Sequence, residues 1–342
     1  MGPTNDREVD ASMSSNHVIT LAVDAMGGDF APAAVCDGVE AAILADPLLR
    51  VMLVGAAEVV EPFARTHDRV EAVVTTQVVE MGEHAASIVR GKPDSSIVVG
   101  CRLVKEGRAD GFFSAGNTGA AMSAATLVIG RIPGVQRPAI ATVLPTAGAP
   151  CVMLDVGANA DCKPEYLAQF AVMGSAYAKA ALGITAPRVG LLNIGEEPAK
   201  GSQLAQETYR LLDGTDGFMG NVEGRDIPAG TVDVVVTDGF TGNVALKLME
   251  GMSKQLLAQF KAALMSSPVN KVAAAVLKPS LNALRDKLDP DSHGAAPLLG
   301  INGLALIGHG SSGPRAVASA LRVGAVAVRA GLVESIAAAM RS

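Results

Sequence analysis

Short apolar runs alternate with stretches of helical period along nearly the whole chain. The apolar runs predict strands over 18–24, 50–54, 70–75, 110–114, 139–144, 150–156, 188–194, 232–237 and 303–308. Apolar residues recurring three and four positions apart predict helices over 32–45, 57–66, 94–107, 118–130, 164–182, 201–212, 242–264, 269–288 and 314–335. Strands and helices that take turns in this way imply βαβ units and a mostly parallel sheet. Such sheets bind ligands in the loops at the carboxyl ends of their strands. Gly, Asp and Asn cluster at those places here. The alternation breaks over 264–298, which reads as two helices parted at Pro279. There Val272, Val276 and Leu277 supply apolar surface, flanked by Lys271 and Lys278. Residues 1–17 are polar and are expected to be a disordered leader, with Met13 as an alternative start. One α/β unit is expected over 18–335, with a two-lobed arrangement left open, then a tail over 336–342.

Of the 342 residues, 49 % are hydrophobic and 18 % charged, so the chain can bury a large core. A net charge of −6 argues against broad nucleic-acid binding. It leaves room for a local basic patch that meets an acidic partner. Cys36, Cys101, Cys151 and Cys162 form no C-x-x-C pair, which favours a reducing, cytoplasmic setting. The leader lacks the basic-then-apolar order of a signal peptide, and no window resembles a membrane span.

The candidate chemistry sits in five loops. Asp24-Ala-Met-Gly27-Gly28-Asp29 joins a strand to a helix that opens near Pro32. Its glycines let backbone amides approach an anion. Ser114-Ala-Gly-Asn117-Thr118-Gly119 repeats the arrangement, and Asn117 or Thr118 suits helix capping as well as phosphate binding. Asp155-Val-Gly-Ala-Asn159 ends another strand, and Asp238-Gly239-Phe-Thr-Gly242-Asn243 is a cousin of the second loop. In Asn193-Ile-Gly195-Glu196-Glu197-Pro-Ala-Lys200-Gly201, at the end of the next strand, the charges suit either a solvated ion pair or a phosphate-binding lysine. A sixth segment, Gly308-His309-Gly310-Ser311-Ser312-Gly313, matches G-x-G-x-x-G and would make an anion nest. A dinucleotide there wants an acid some 20 residues on, before a further strand. Glu334, at the far end of the last helix, does not meet that description. The five histidines are scattered, so no metal site is expected, and no cofactor is implied. No side chain stands out as a covalent nucleophile.

Taken in order, DAMGGDFAP (24–32), KPDSS (92–96), SAGNTGA (114–120), DVGAN (155–159), GEEPAKG (195–201), TDGFTGN (237–243), AAAVLKP (273–279) and GHGSS (308–312) resemble the bacterial phosphate acyltransferase family, over about residues 18–335. Two positions depart from its pattern: Ala85 stands where proline is expected, and Gly91 where a basic residue is expected. The resemblance implies a three-layer α/β/α fold like that of isocitrate and isopropylmalate dehydrogenases, a homodimer, and transfer of an acyl group from acyl carrier protein to inorganic phosphate. The acyl phosphate product would feed a membrane glycerol-3-phosphate acyltransferase in phospholipid synthesis. A phosphate acetyltransferase-like enzyme using acyl-coenzyme A and an NAD-linked dehydrogenase of the same fold are the alternatives. On this reading Lys200, Asn243 and His309 are catalytic, and Lys92, Asn117 and Thr118 join the loops in holding phosphate. The amides near Gly27–Gly28 or Gly310–Ser311 would meet the developing oxyanion, and Asp24, Asp29, Asp155 and Asp238 would orient loops. Arg90, Arg131, Arg137, Lys271 and Lys278 are candidates to dock the acidic carrier, and Val272, Val276 and Leu277 to touch the inner face of the membrane.

Overall fold

The computed structural model describes residues 17–83, 85–271, 274, 276–279 and 294–341. The leader, Val272, and the rest of the proposed helical pair (280–293) lie outside the described residues. Eleven strands form one sheet. They are β1 Ile19–Asp24, β2 Leu49–Gly55, β3 Val70–Val74, β4 Gly111–Ser114, β5 Ala139–Leu144, β6 Cys151–Leu154, β7 Val189–Leu192, β8 Phe218–Val222, β9 Val234–Val236, β10 Ala296–Leu299 and β11 Leu304–Ile307. Their order across the sheet is β3-β2-β1-β4-β11-β10-β5-β6-β9-β7-β8.

The strands are apolar on both faces because both faces are covered. Leu21 and Val23 pack beneath the helices Ala33–Ala45 and Pro314–Arg329, whereas Ala22 between them faces the helices Ser96–Lys105 and Thr118–Ala124. Phe113 and Phe112 divide the same way and are fully buried. The result is three layers, as the family resemblance implies.

The sheet is mostly parallel, with a correction at its centre. β10 runs antiparallel to both β11 and β5, and β5 runs antiparallel to β6. Strand direction therefore reverses between the two halves. β1 to β4 and β11 point one way; β6, β9, β7 and β8 point the other. The strands β8 and β10 are not among the predicted ones. The predicted helix over 314–335 is two helices, Pro314–Arg329 and Leu332–Ala339, parted where Gly331 takes a φ of +62°. The helix Gly239–Leu264 begins at its glycine, three residues before the predicted start. Among the described residues no single helix is long and apolar enough to cross a membrane.

Candidate active site

The reversal sorts the glycine loops into two groups. Loops that follow β1, β4 and β11 leave the sheet at one rim, here called upper. Loops that follow β6, β7 and β9 leave at the opposite, lower rim. Within one chain, then, the candidate loops do not meet around a single anion.

At the upper rim Asp24 is buried, and burial pushes its carboxyl above the ordinary range. One of its oxygens accepts the Met26 N–H at 3.0 Å, and the other accepts the Ser114 hydroxyl at 2.7 Å. Ser114 in turn accepts the Gly116 N–H at 3.0 Å, which ties the first loop to the second. A side chain at Gly27 would lie 2.5 Å from the Asp24 carboxylate, so only glycine fits there. The Asp29 N–H donates to the Gly310 carbonyl at 2.7 Å and joins the third loop. His309 Nδ1 accepts the Ser311 N–H at 3.2 Å, which puts the ring proton of a neutral imidazole on Nε2. The Ser311 hydroxyl lies 2.8 Å from the same nitrogen. His309 and Ser311 are exposed, while Ser312 is buried.

Two expected phosphate ligands of this rim are occupied otherwise. Asn117 caps its helix by accepting the Ala120 N–H, and its amide donates to the Met81 and Glu83 carbonyls at 2.8 and 3.0 Å. Lys92 donates to the Val78 carbonyl and pairs with Glu83. Both side chains thus hold a strap over 78–83, and neither is offered to a ligand. Thr118, exposed at the first turn after Asn117, and Gly119 beside it keep their backbone at the helix start. Arg90 is exposed on the helix Ala85–Gly91 that follows the strap.

The lower rim is organised by Asp155, which is fully buried and whose carboxyl is also pushed up by burial. One oxygen accepts the Ile140, Gly157 and Ala158 N–H groups at 3.1, 3.2 and 3.0 Å. The other accepts the backbone and side-chain N–H of Asn159 at 2.7 and 2.8 Å. Asn159 also donates to the Pro138 carbonyl, beside the exposed Arg137, whose guanidinium lies 5.9 Å from the Tyr166 ring centre. The exposed Arg131 bonds the Gln136 carbonyl in the same stretch. Asp238 caps the helix Gly239–Leu264 by accepting the Thr241 N–H at 2.8 Å and its hydroxyl at 2.7 Å. The Gly239 N–H donates to the Asn159 carbonyl at 2.8 Å, and Asn243 approaches Gly157. Asn193 donates to the Lys200 carbonyl at 3.1 Å. Asn193, Gly201, Asp238 and Thr241 line one pocket, so the loops after β7 and β9 converge. Glu196 pairs with Arg225, 3.4 Å away, instead of Lys200. Glu197 presents its backbone carbonyl to Asn221. The exposed Lys200 ammonium has no carboxylate partner among the described residues.

Of the three expected catalytic residues, Lys200 and Asn243 stand at the lower rim and His309 at the upper one. Asn193 and Glu83, which hold these loops, are not among the expected site residues. For Asn193 a signal exists: an Asn at a strand end before glycine does the same work as Asp24 and Asp155. Nothing in the sequence marks Glu83. Lys271, Val276, Leu277 and Lys278 are exposed, far along the chain from both rims. No group of His, Cys, Asp and Glu among the described residues is arranged to hold a metal.

A family model described as "Fatty acid synthesis protein" matches residues 19–335. A phosphate acyltransferase of Desulfitobacterium hafniense is 50 % identical over 321 residues, covering 92 % of this chain and 96 % of its own length. One from Bacillus pumilus is 45 % identical over 304 residues, covering 88 % and 92 %. Among solved structures, a phosphotransacetylase from Streptococcus pyogenes superposes with a TM-score of 0.60 at 18 % identity, covering 92 % of this chain and 94 % of that one. A 4-hydroxythreonine-4-phosphate dehydrogenase from Klebsiella pneumoniae gives 0.50 at 13 % identity, covering 92 % and 100 %. These two share the fold. By its sequence relatives, matched along nearly their whole length, the chain belongs to the phosphate acyltransferase family and is an acyltransferase of fatty acid synthesis.

Proposed function

We propose that the chain moves a fatty acyl group from acyl carrier protein to inorganic phosphate and releases acyl phosphate for phospholipid synthesis. The observation that carries this reading is Lys200: an exposed cation without a carboxylate partner, in a glycine loop beside a helix start. Phosphate is an anionic nucleophile at neutral pH. It needs placement more than activation, and placement is worth about 7–11 kcal/mol in favourable cases. Lys200 and Asn243 hold it. A phosphate oxygen attacks the thioester carbonyl, the new C–O bond forms, and loop amides receive the charge on the carbonyl oxygen. The C–S bond then breaks, and the leaving thiolate takes a proton through His309, whose ring receives in exchange the proton that hydrogen phosphate sheds as the acyl phosphate forms. A thiol of pKa about 8.5 asks little of that acid.

His309 lies at the other rim, so on this reading the complete site forms between two copies, the upper rim of one against the lower rim of the other. Twofold dimers are the commonest oligomers. The helix Gly239–Leu264 supports one: Phe240, Val244, Leu248, Met252, Leu256 and Phe260 run along it, between 52 and 66 % exposed. Such a contiguous apolar row marks an interaction surface. Beyond it Val276 and Leu277 are 76 and 48 % exposed, near Lys271 and Lys278. On this reading they rest on the inner face of the membrane, where a glycerol-3-phosphate acyltransferase takes the product. Arg90, Arg131 and Arg137 receive the acidic carrier.

The decisive assay supplies long-chain acyl carrier protein with and without phosphate. It follows thiol release and traps the product with hydroxylamine. Phosphate-dependent release with a hydroxamate product is expected. Equal or better turnover of acyl-coenzyme A would overturn the choice of donor. In vesicle flotation Val276→Asp/Leu277→Asp is expected to stay unbound, and retention like the wild type would overturn the membrane contact.

A further inference from the structure

Where strand direction reverses, one face of the sheet is incompletely covered. The helices Pro164–Leu182 and Pro314–Arg329 flank β5 and β10 there and leave a cavity of 180 Å³. Val143, Leu182, Pro297 and Val323 wall it with apolar atoms. Arg322 stands on its exposed side. Tyr177 also lines it; this residue is 2 % exposed, and among the described residues its hydroxyl has no hydrogen-bond partner. Burial alone pushes the phenol up to about 12, so it stays a neutral donor. The ring is buried while the hydroxyl opens into the cavity, so it offers an acceptor there one hydrogen bond. The place is a crevice on one face of the sheet, between two helices. It also adjoins the upper rim. Pro297 pairs with Leu306, two residues before Gly308, or about 7 Å along the strand.

We propose that this cavity binds a medium-length fatty chain ending in an oxyanion, with the chain among the aliphatic side chains, an oxygen on the Tyr177 hydroxyl and the charge toward Arg322. An apolar cavity of about 150 Å³ admits benzene, so this one suits a segment of roughly six to eight carbons. The choice of a fatty chain rests on the acyl-transfer reading; the binding itself does not. Free fatty acid and acyl phosphate share this chemistry.

The test is equilibrium dialysis of radiolabelled octanoate with the intact protein, which needs no turnover. Saturable binding is expected in the wild type. Tyr177→Phe, which removes only the hydroxyl, should weaken it about fivefold. Val323→Trp should abolish it by filling the space. Circular dichroism and melting temperature show whether each variant is folded. No saturable octanoate binding by the wild type, or wild-type affinity in folded Val323→Trp, overturns the proposal. Octanoate added to the turnover assay separates the sources. Competition with the acyl donor assigns the site to the acyl chain of substrate and product, and inhibition that donor cannot relieve assigns it to free fatty acid. An enzyme inactive in that assay but saturable by octanoate would sink the acyl-transfer reading and leave the cavity standing.

Discussion

At the scale of single residues, two buried carboxylates fix the loops by gathering backbone N–H groups. Asp155 accepts five such bonds, counting the Asn159 amide. Replacing it with Asn turns one acceptor oxygen into an NH₂ group that faces other donors. Each buried group left unpaired costs about 1–3 kcal/mol. Asp155→Asn should therefore lower the denaturation midpoint clearly, as urea unfolding would read. The steric limit is sharper at Gly242, where a Cβ would come 2.0 Å from the Asp155 carbonyl oxygen, which belongs to backbone and cannot swing away. Gly242→Ala should cost roughly 2–3 kcal/mol and reduce turnover with it. Charge works in the opposite sense at Asp233. The Arg188 guanidinium, 2.9 Å away, holds that carboxyl below its ordinary value of 3.8. A depressed carboxyl stabilises the fold above its unfolded pKa and loses that contribution as pH falls through the folded one. The melting-temperature gap between wild type and Asp233→Asn should be full near neutrality and close as the pH drops below about 4. Asp24 and Asp155 are raised instead, so any stability they contribute is present at low pH and fades as pH rises. The capping and loop roles of Asp24, Asp155 and Asp238 were legible from their places at strand ends. The internal employment of Asn117 and Lys92 was not, because it depends on a strap without periodicity of its own.

At the scale of elements, period alone located the long helices and most strands. It failed where an element lacked a run of strand-forming residues or where its ends were set by geometry. β8 carries Gly220 and Asn221 within FMGNV, and β10 carries Pro297 within APLL, so neither reads as a strand. The break at Gly331 is invisible to hydropathy because both flanking helices are rich in apolar residues. The helix Gly239–Leu264 is the instructive element. Its buried residues are the first-turn glycines, while Ala245, Leu246 and Met249 are only partly covered. A spacing of four advances the outer apolar row by about 40° per step. The row therefore winds around the helix instead of lying along one seam, and a surface that covers it must cross the helix at an angle. Leu248→Asp/Leu256→Asp should abolish self-association, as sedimentation velocity would show, with little loss of folding in the monomer. Within the same helix a Cβ at Gly251 meets nothing within 4 Å. There Gly251→Ala should add about 0.5–1 kcal/mol through helix propensity. A loss instead would mean that this face is pressed against a second copy.

For the whole molecule, strand direction decides what the loops can do together. The family motifs were legible as strand-end loops one at a time. Their division between two rims was not, since the turning point is an antiparallel strand that carries a proline and does not read as a strand. One chain carries Lys200 and Asn243 at one rim and His309 at the other, and a twofold pair can place each rim against its complement. Subunit mixing distinguishes this arrangement from two independent half-sites. Lys200→Ala alone should lose about 10²–10³ in turnover, the usual cost of removing a transition-state donor. His309→Ala alone should also fall well below wild type. In an equimolar mixture exchanged to equilibrium, half of the dimers are mixed. Each mixed dimer pairs the intact upper rim of the Lys200→Ala copy with the intact lower rim of the His309→Ala copy. It therefore restores one whole site of two, and the mixture should recover about a quarter of wild-type activity. A mixture no more active than the mean of its parents would show that each rim acts within its own chain, and His309 would then leave the reaction.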